Sequence, residues 1–413
     1  MTPLNILYVN PTAQLGGAEY SLLDLAGSLD RQRFRPILAC LGDGPLVGAA
    51  AERGIDVRRL ALPPRVARLS LKGIRSGITG LAVAAASSAP LLRELRALAR
   101  DADIVHTNGN KAHLLGTATS GRSGLVWHVR DFWRRGALER GLVRVANLKA
   151  DAVIANSASV HGHLLSMGLS PSIAHAVPNG IDSARFSPVG PVAPLREEFR
   201  WEPRAPVIGI VGMLARWKGQ DVLLHAFSQV LRVRPDARLV IVGDEIYVTA
   251  GQSGFREELK ALAQRLGIAH AVAFAGYRTD PPALIRAMNV VVHASVEPEP
   301  FGRVVAEGMA CERAVIAMDA GGVPEVTGPS GRAALLVAPR NPDAMAAAIT
   351  RLIENPLEAR RLGVEGRRRV VAMFPVVSHV ARVQSLYESL RGGRSRRAGS
   401  SARAERRAAG DER

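Results

Sequence analysis

Short apolar, β-branched runs recur through the first half of the chain at Ile6 to Val9, Arg35 to Cys40, Asp103 to His106, Leu125 to Val129 and Ala152 to Ala155. Each is followed by a stretch with helical spacing, and strands alternating with helices at these intervals predict a parallel sheet covered on both faces. A second series repeats the pattern at Val207 to Val211, Ala237 to Val242, Val272 to Ala275, Val290 to His293, Ala314 to Ala317 and Ala334 to Val337. The chain therefore reads as two α/β, doubly wound, Rossmann-like domains. Between them, about Ser183 to Ala205 carries Pro188, Pro191, Pro194 and Pro203, with Pro206 just beyond, and reads as the linker. The predicted division is 1–184, 185–375, an amphipathic helix over 376–390, and a basic tail over 391–413 whose lack of apolar periodicity predicts disorder.

One segment breaks the regularity. Arg58, Arg59, Arg65, Arg68, Lys72 and Arg75 precede an uncharged run from Ser76 to Leu92. At 17 residues, diluted by Ser, Gly and Ala and interrupted by Pro90, that run falls short of the ~20 apolar residues of a spanning helix. Two readings stand: a loop with a buried helix, or an interfacial segment lying on an anionic membrane.

Composition narrows the class. With 413 residues, 47% hydrophobic and 22% charged, and ordinary Gly and Pro usage, the chain is neither collagen-like, mainly disordered nor a disulfide scaffold. Cys40 and Cys311 stand apart with no CxxC or Cys/His cluster, which argues against disulfides and zinc. The first ten residues lack the pattern of a signal peptide, so a cytoplasmic location is expected. The net charge of +17 divides into +9 over 1–190, +3 over 191–390 and +5 over 391–413. Such an excess favours anionic partners, whether nucleotide sugars, phospholipid surfaces or nucleic acid, and does not choose among them.

Candidate chemistry sits in the turns after strands. Gly16 and Gly17 follow the first strand and open a helix, whose N-terminus suits an anionic group; a βα turn needs glycine in any case. Gly212 to Gly219 brings Arg216 and Lys218 to a helix start, where two cations suit a diphosphate or simply form a solvated basic loop. Glu299 and Glu307 lie eight positions apart across a loop and the helix after it, with Pro300 and Gly302 marking the helix start. Ionised carboxylates accept hydrogen bonds that sugar or ribose hydroxyls donate. Gly321-Gly322-Val323-Pro324-Glu325 adds a further flexible turn. Asp101-Ala102-Asp103 has the form of a DxD metal motif, but it precedes a strand, at the wrong end of a parallel sheet for a ligand.

In this order the motifs resemble the GT-B glycosyltransferases, in particular the retaining family 4 type with its "glycosyl transferases group 1" C-terminal domain. Glu299 to Glu307 within Pro-Glu-Pro-Phe-Gly is the most specific element. It is joined by Lys218-Gly219, Val240 to Asp244, Phe274 to Tyr277, Gly321 to Glu325, Gly16 to Glu19 and Pro178 to Asp182. The resemblance implies two domains facing a central cleft: an N-terminal acceptor-binding domain, onto which the final helix packs back, and a C-terminal nucleotide-sugar-binding domain. It places Glu307 on the ribose, Glu299 on the transferred sugar, and Lys218 with Arg216 on the diphosphate. It places Gly276, Tyr277 and Arg278 around the base, and backbone amides near Phe301, Gly302 and Arg303 on the phosphates. Gly16 and Gly17 approach from the opposite wall.

Two departures stand out. Gly212-Met213 replaces the usual Gly-Arg, leaving Arg216 to supply a cation. In Trp127-His128-Val129-Arg130-Asp131, either His128 takes the family histidine position, displacing the aspartate, or Asp131 aligns and Arg130 stands where histidine is usual; His128 also reads as a core residue beside Trp127. The implied reaction moves a sugar from a UDP- or GDP-sugar to an acceptor hydroxyl with retention, with no protein nucleophile and no essential metal or cofactor. The acceptor is a saccharide or lipid-linked saccharide, in the setting of bacterial cell-surface polysaccharide or glycolipid synthesis, with peripheral contact to the inner face of an anionic membrane. A soluble-metabolite acceptor, or a non-transferase GT-B enzyme such as a nucleotide-sugar epimerase, is the alternative; nucleic-acid binding through the tail is supported only by charge.

Overall fold

The computed structural model describes residues 2–61, 89–246 and 254–391. Contacts divide them into two compact units, one drawn from Met1–Ala155, Leu164–Val177 and Val377–Arg413, the other from Asn156–His163 and Pro178–Val376. The first holds seven strands: β1 (Leu4–Asn10), β2 (Phe34–Leu41), β3 (Asp56–Leu60), β4 (Ile104–Asn108), β5 (Gly124–Val129), β6 (Ala152–Ala155) and β7 (Ala174–Ala176). They pair in parallel in the order β3-β2-β1-β4-β5-β6-β7. The second holds β8 (Val207–Val211), β9 (Arg238–Val242), β10 (Val272–Gly276), β11 (Val290–Val292), β12 (Ala314–Met318) and β13 (Leu335–Val337), parallel in the order β10-β9-β8-β11-β12-β13.

Central strands buried on both faces read as continuous apolar runs, which is why they are visible in the sequence. The edge strands of the first sheet are not: in β3 the exposed Arg58 and Arg59 blunt the edge. These two arginines therefore belong to a strand rather than to a basic loop. The rest of that basic segment, most of the Ser76 to Leu92 run, and the tail beyond Arg391 lie outside the described residues. No helix among the described residues is long and apolar enough to cross a membrane.

The proline-rich stretch is not a linker. Phe186, Ala193 and Leu195 are buried in one of the two apolar clusters of the second unit, with Leu284, Met309 and Phe374. Proline shapes this backbone while the side chains between supply core. The chain leaves the first unit at Val177 and returns after Val376. Just inside the second unit, Ile181 N donates to Phe374 O (2.8 Å) and Val376 N to Ile181 O (3.2 Å), so the outgoing and returning segments run side by side. Residues 376–391 are helical, with Val380, Val383 and Tyr387 buried in the first unit.

Both sheets reverse strand order after their first strand, between β1 and β4 and between β8 and β11. The crevice beyond the C-terminal ends of such a pair is where open parallel sheets bind ligands.

Candidate functional site

In the second unit, β8 runs into the loop 212–219 and β11 into 293–302, so residues after both strands meet at the reversal. Gly219 makes the approach possible. It has φ +68°, and a Cβ there would lie 2.0 Å from the Ala294 carbonyl oxygen. Val296 N donates to Trp217 O (2.8 Å), tying the loops together. A second brace comes from Gly321, with φ +66° and a virtual Cβ 2.3 Å from Glu299 O, while Gly322 N donates to Glu299 O (2.8 Å). The turn at 321–325 thus supports the loop that carries Glu299.

Lys218 Nζ donates to both Glu299 oxygens, at 3.0 and 2.7 Å. Ser295 Oγ donates to Oε2 (3.0 Å), and His293 Nε2 lies 3.4 Å from the same oxygen. Burial alone would raise the Glu299 carboxyl, but the Lys218 ammonium and the His293 hydrogen bond outweigh it and hold the group well below the usual carboxylate range. Gly302 caps the helix Arg303–Ala310. Within that helix Arg303 Nε donates to Glu307 Oε1 (2.7 Å), both side chains being nearly buried. Two carboxylates, each held by a cation, therefore stand on either side of a helix N-terminus.

Other predicted residues are engaged elsewhere. The Arg216 guanidinium donates to both Glu258 oxygens at 2.7 Å and lies over the Phe255 ring (5.0 Å), away from Glu299's partners. Arg278 is tied to Glu198 and Asp280. Gly276 O accepts from Gly243 N (2.8 Å) at the ends of β10 and β9, Gly212 N donates to Val242 O (2.9 Å), and Tyr277 is 40% exposed. Phe301 is buried against Phe374.

In the first unit, alternation along the strands puts Tyr8 and Asn10 of β1, His106 and Asn108 of β4, and His128 of β5 on one face. All are buried, as are Glu19 and Arg130. A continuous chain of hydrogen bonds results. Gly16 N donates to Glu19 Oε2 (3.0 Å), and Asn10 Nδ2 lies 3.4 Å from Glu19 Oε1. Asn108 Nδ2 donates to Asn10 Oδ1 (2.7 Å), Arg130 Nε to Asn108 Oδ1 (2.6 Å), and Arg130 Nη2 to His128 Nδ1 (3.2 Å). Gly16 and Arg130, far apart in sequence, are thereby joined. A Cβ at Gly17 would meet nothing within 4 Å, so packing does not demand glycine there.

His128 is a fully buried member of this network. Trp127 points to the opposite face, where it stacks on His113 (4.7 Å), so His128 is a core residue, as the sequence also allows, but packs on the other side of the sheet from Trp127. Burial and the nearby Arg130 charge keep His106 and His128 neutral, their pKa values well below the usual imidazole range. Arg130 is inside the network and Asp131 is exposed. Asn10, His106 and Asn108 leave one trace in the sequence, a polar residue at alternate positions near the C-terminal ends of strands; Tyr387, on the final helix, leaves none.

Asp103 accepts from Asn5 N through Oδ2 (2.9 Å) at the opposite, N-terminal end of the central strands. It lines a cavity of about 520 Å³ with Arg100, Arg122 and Arg391, remote in the sheet from the residues above.

Two family models match the chain: "Glycosyltransferase Family 4" over residues 15–185 and "Glycosyl transferases group 1" over 193–369. Among curated relatives, an MMP alpha-(1->4)-mannosyltransferase of Mycolicibacterium hassiacum is 34% identical over 62% of this chain and 60% of its own length. An alpha-maltose-1-phosphate synthase of Mycolicibacterium smegmatis is 34% identical over 56% of this chain and 61% of its own. The chain thus spans about three fifths of these relatives. Among solved structures, Anabaena Alr3699/HepE in complex with UDP-glucose superposes with a TM-score of 0.79 at 26% identity, covering 94% of this chain and all of that one.

Proposed function

From the premise that the chain belongs to the GT-B glycosyltransferases of the family 4 type, we propose that it moves a glycosyl group from a UDP- or GDP-sugar to an acceptor hydroxyl with retention of configuration. The observation that carries this reading is the Lys218–Glu299 pair beside the N-terminus of the helix Arg303–Ala310, at the strand-order reversal of the second sheet. Charge grows on a departing diphosphate, and a fixed ammonium with free helix N–H groups stabilises it. Lys218 and the amides at Gly302 and Arg303 take that role; Glu299 accepts from sugar hydroxyls and Glu307 from ribose hydroxyls. Because Glu299 is held ionised and fully engaged by donors, it serves as an acceptor of hydrogen bonds rather than as a proton donor. Gly276, Tyr277 and Arg278 border the base.

The relatives support both donor bases: Anabaena HepE is solved with UDP-glucose, and a relative from Corynebacterium glutamicum is described as GDP-mannose-dependent. A saccharide or lipid-linked acceptor in cell-surface synthesis is the companion proposal, supported by similarity to a lipopolysaccharide core mannosyltransferase of Rhizobium meliloti.

The test is a thermal-shift panel of UDP, GDP, ADP, NAD and their sugar conjugates on wild type, Glu307→Ala and Glu307→Gln. A ligand at 100 times its Kd adds about 2.7 kcal/mol to the folded state. The glutamine variant is included because alanine leaves the nearly buried Arg303 without its carboxylate. Stabilisation by UDP or GDP that both variants lose supports the reading. No response to any nucleotide, or a response to NAD alone, overturns it.

A further inference from the structure

The buried network of the first unit continues past His128 to the helix 376–391, and hydrogen-bonding capacity fixes its direction. Arginine only donates, so His128 Nδ1, 3.2 Å from Arg130 Nη2, carries no proton. His106 Nε2 lies 3.2 Å from that same bare nitrogen and must donate to it. His106 Nδ1 is then bare and accepts from the Tyr387 hydroxyl at 2.7 Å, which in turn accepts from Tyr8 at 3.1 Å. Since burial keeps the ring neutral, the His128 proton sits on Nε2, an atom shielded from water and without a hydrogen-bond partner in the protein. A buried N–H without an acceptor is unfavourable, and burying these polar rings costs more than burying apolar rings of the same volume.

We propose that Tyr387 and His106 are positioning residues that, with Arg130, hold His128 as the Nε2–H tautomer, so that its N–H is ready for an oxygen of the substrate. This rests on the transferase reading. On this proposal the missing acceptor is supplied by the ligand. The helix that carries Tyr387 follows the whole second unit in sequence, so the chain returns to the first unit to supply the group that orients its histidine pair. Without the Tyr387 hydroxyl, His106 is free to carry its proton on Nδ1. Its bare Nε2 then faces His128 Nδ1 and draws the His128 proton away from Nε2, against Arg130.

The test uses the full chain labelled with ¹⁵N-histidine, with His128 signals identified by their loss in His128→Asn. Wild type is expected to show a pure Nε2–H tautomer at His128, and Tyr387→Phe a mixture at both His106 and His128. Turnover is read without an acceptor, as water hydrolysis of UDP-glucose or GDP-mannose. The variant is expected to lose about tenfold in kcat with KM within twofold. Glu388→Ala is the control: it removes an ion pair that the residue next to Tyr387 makes with Arg33 and leaves both readouts unchanged. An unaltered His128 spectrum in Tyr387→Phe overturns the proposal, as does a changed spectrum with unchanged kcat, or an equal loss in Glu388→Ala. Failure of the transferase reading shows separately, as wild type that no nucleotide stabilises; the spectrum of Tyr387→Phe then still decides whether Tyr387 sets the proton's position.

Discussion

Three imidazoles of the first unit, His106, His113 and His128, are fully buried, and this makes its stability depend steeply on pH. Burial lowers the His113 pKa to about 3 and, with the Arg130 charge nearby, holds His106 and His128 well below the usual range. In the unfolded chain each titrates near 6.5. Between those values the unfolded state binds a proton that the folded state refuses, so stability falls as pH drops below about 6.5. From pH 7.5 to 5.5 each group contributes a loss of about 1.4 kcal/mol, and three together about 4 kcal/mol, a large share of a typical domain's 5–15 kcal/mol. Glu19 runs the other way. Its pKa is raised by burial, so its effect favours the folded state at low pH and fades as pH rises through the raised value; it offsets at most one proton of three. Hydrogen exchange of amides in β5, corrected for intrinsic rates, reads the opening free energy of this sheet directly. Replacing His113 by Gln should remove about a third of the loss. An opening free energy that moves by less than about 1 kcal/mol between pH 7.5 and 5.5 would mean that these rings are charged or hydrated in the folded state, and the tautomer argument would fall with it.

Two further expectations concern the second unit. Gly219→Ala drives a Cβ into the Ala294 carbonyl oxygen, so the loop must move and carry Lys218 out of position; hydrolysis of a nucleotide sugar is expected to fall at least 100-fold, and a rate within a few-fold of wild type would refute the role given to this loop. The Glu325 carboxylate accepts from Ala158 N (2.8 Å) and Ser159 N (2.5 Å) at the start of the helix Ala158–Ser166. Glu325→Ala should cost about 1–2 kcal/mol and lower the Tm by several degrees, and an unchanged Tm would show that water replaces this cap at no cost.

Most of the fold is legible in the sequence because its central strands are buried on both faces. Runs such as Val207 to Val211 and Ala314 to Ala317 match β8 and β12 closely. What escapes is the pair of strands at the edges of the first sheet. β3 carries exposed arginines and β7 is three residues long, so neither shows an apolar run. The proline-rich stretch misleads for a different reason: proline announces irregular backbone but says nothing about whether Phe186 and Leu195 beside it are buried. Among site residues, Lys218 and Glu299 are visible as loop residues after strands. Their contact is not, because it depends on β8 and β11 being neighbours across a long crossover. The sequence places Arg216 toward a diphosphate, and in the fold an exposed glutamate one helix away, Glu258, holds it.

That pairing is general at this site and changes what the positive charge means. Lys218 is held by Glu299, Arg303 by Glu307, Arg278 by Glu198 and Asp280, and Arg216 by Glu258. The overall +17 is therefore not a reserve of open cations waiting at the candidate site. An incoming anion must compete with a carboxylate for each one. At the exposed Arg216 pair that competition costs about 1 kcal/mol or less. At the more buried Lys218–Glu299 pair it costs more, because separation leaves a carboxylate in a partly dry site without its counter-ion. A nucleotide sugar meets both demands at once on the proposed reading: its diphosphate takes Lys218 while the hydroxyls of its sugar replace the hydrogen bonds that Glu299 gives up. A bare phosphate offers only the first exchange. The arrangement thus favours one ligand that carries an anion and hydroxyl donors a few ångströms apart, and it disfavours the inorganic anions that a merely basic surface would bind equally well.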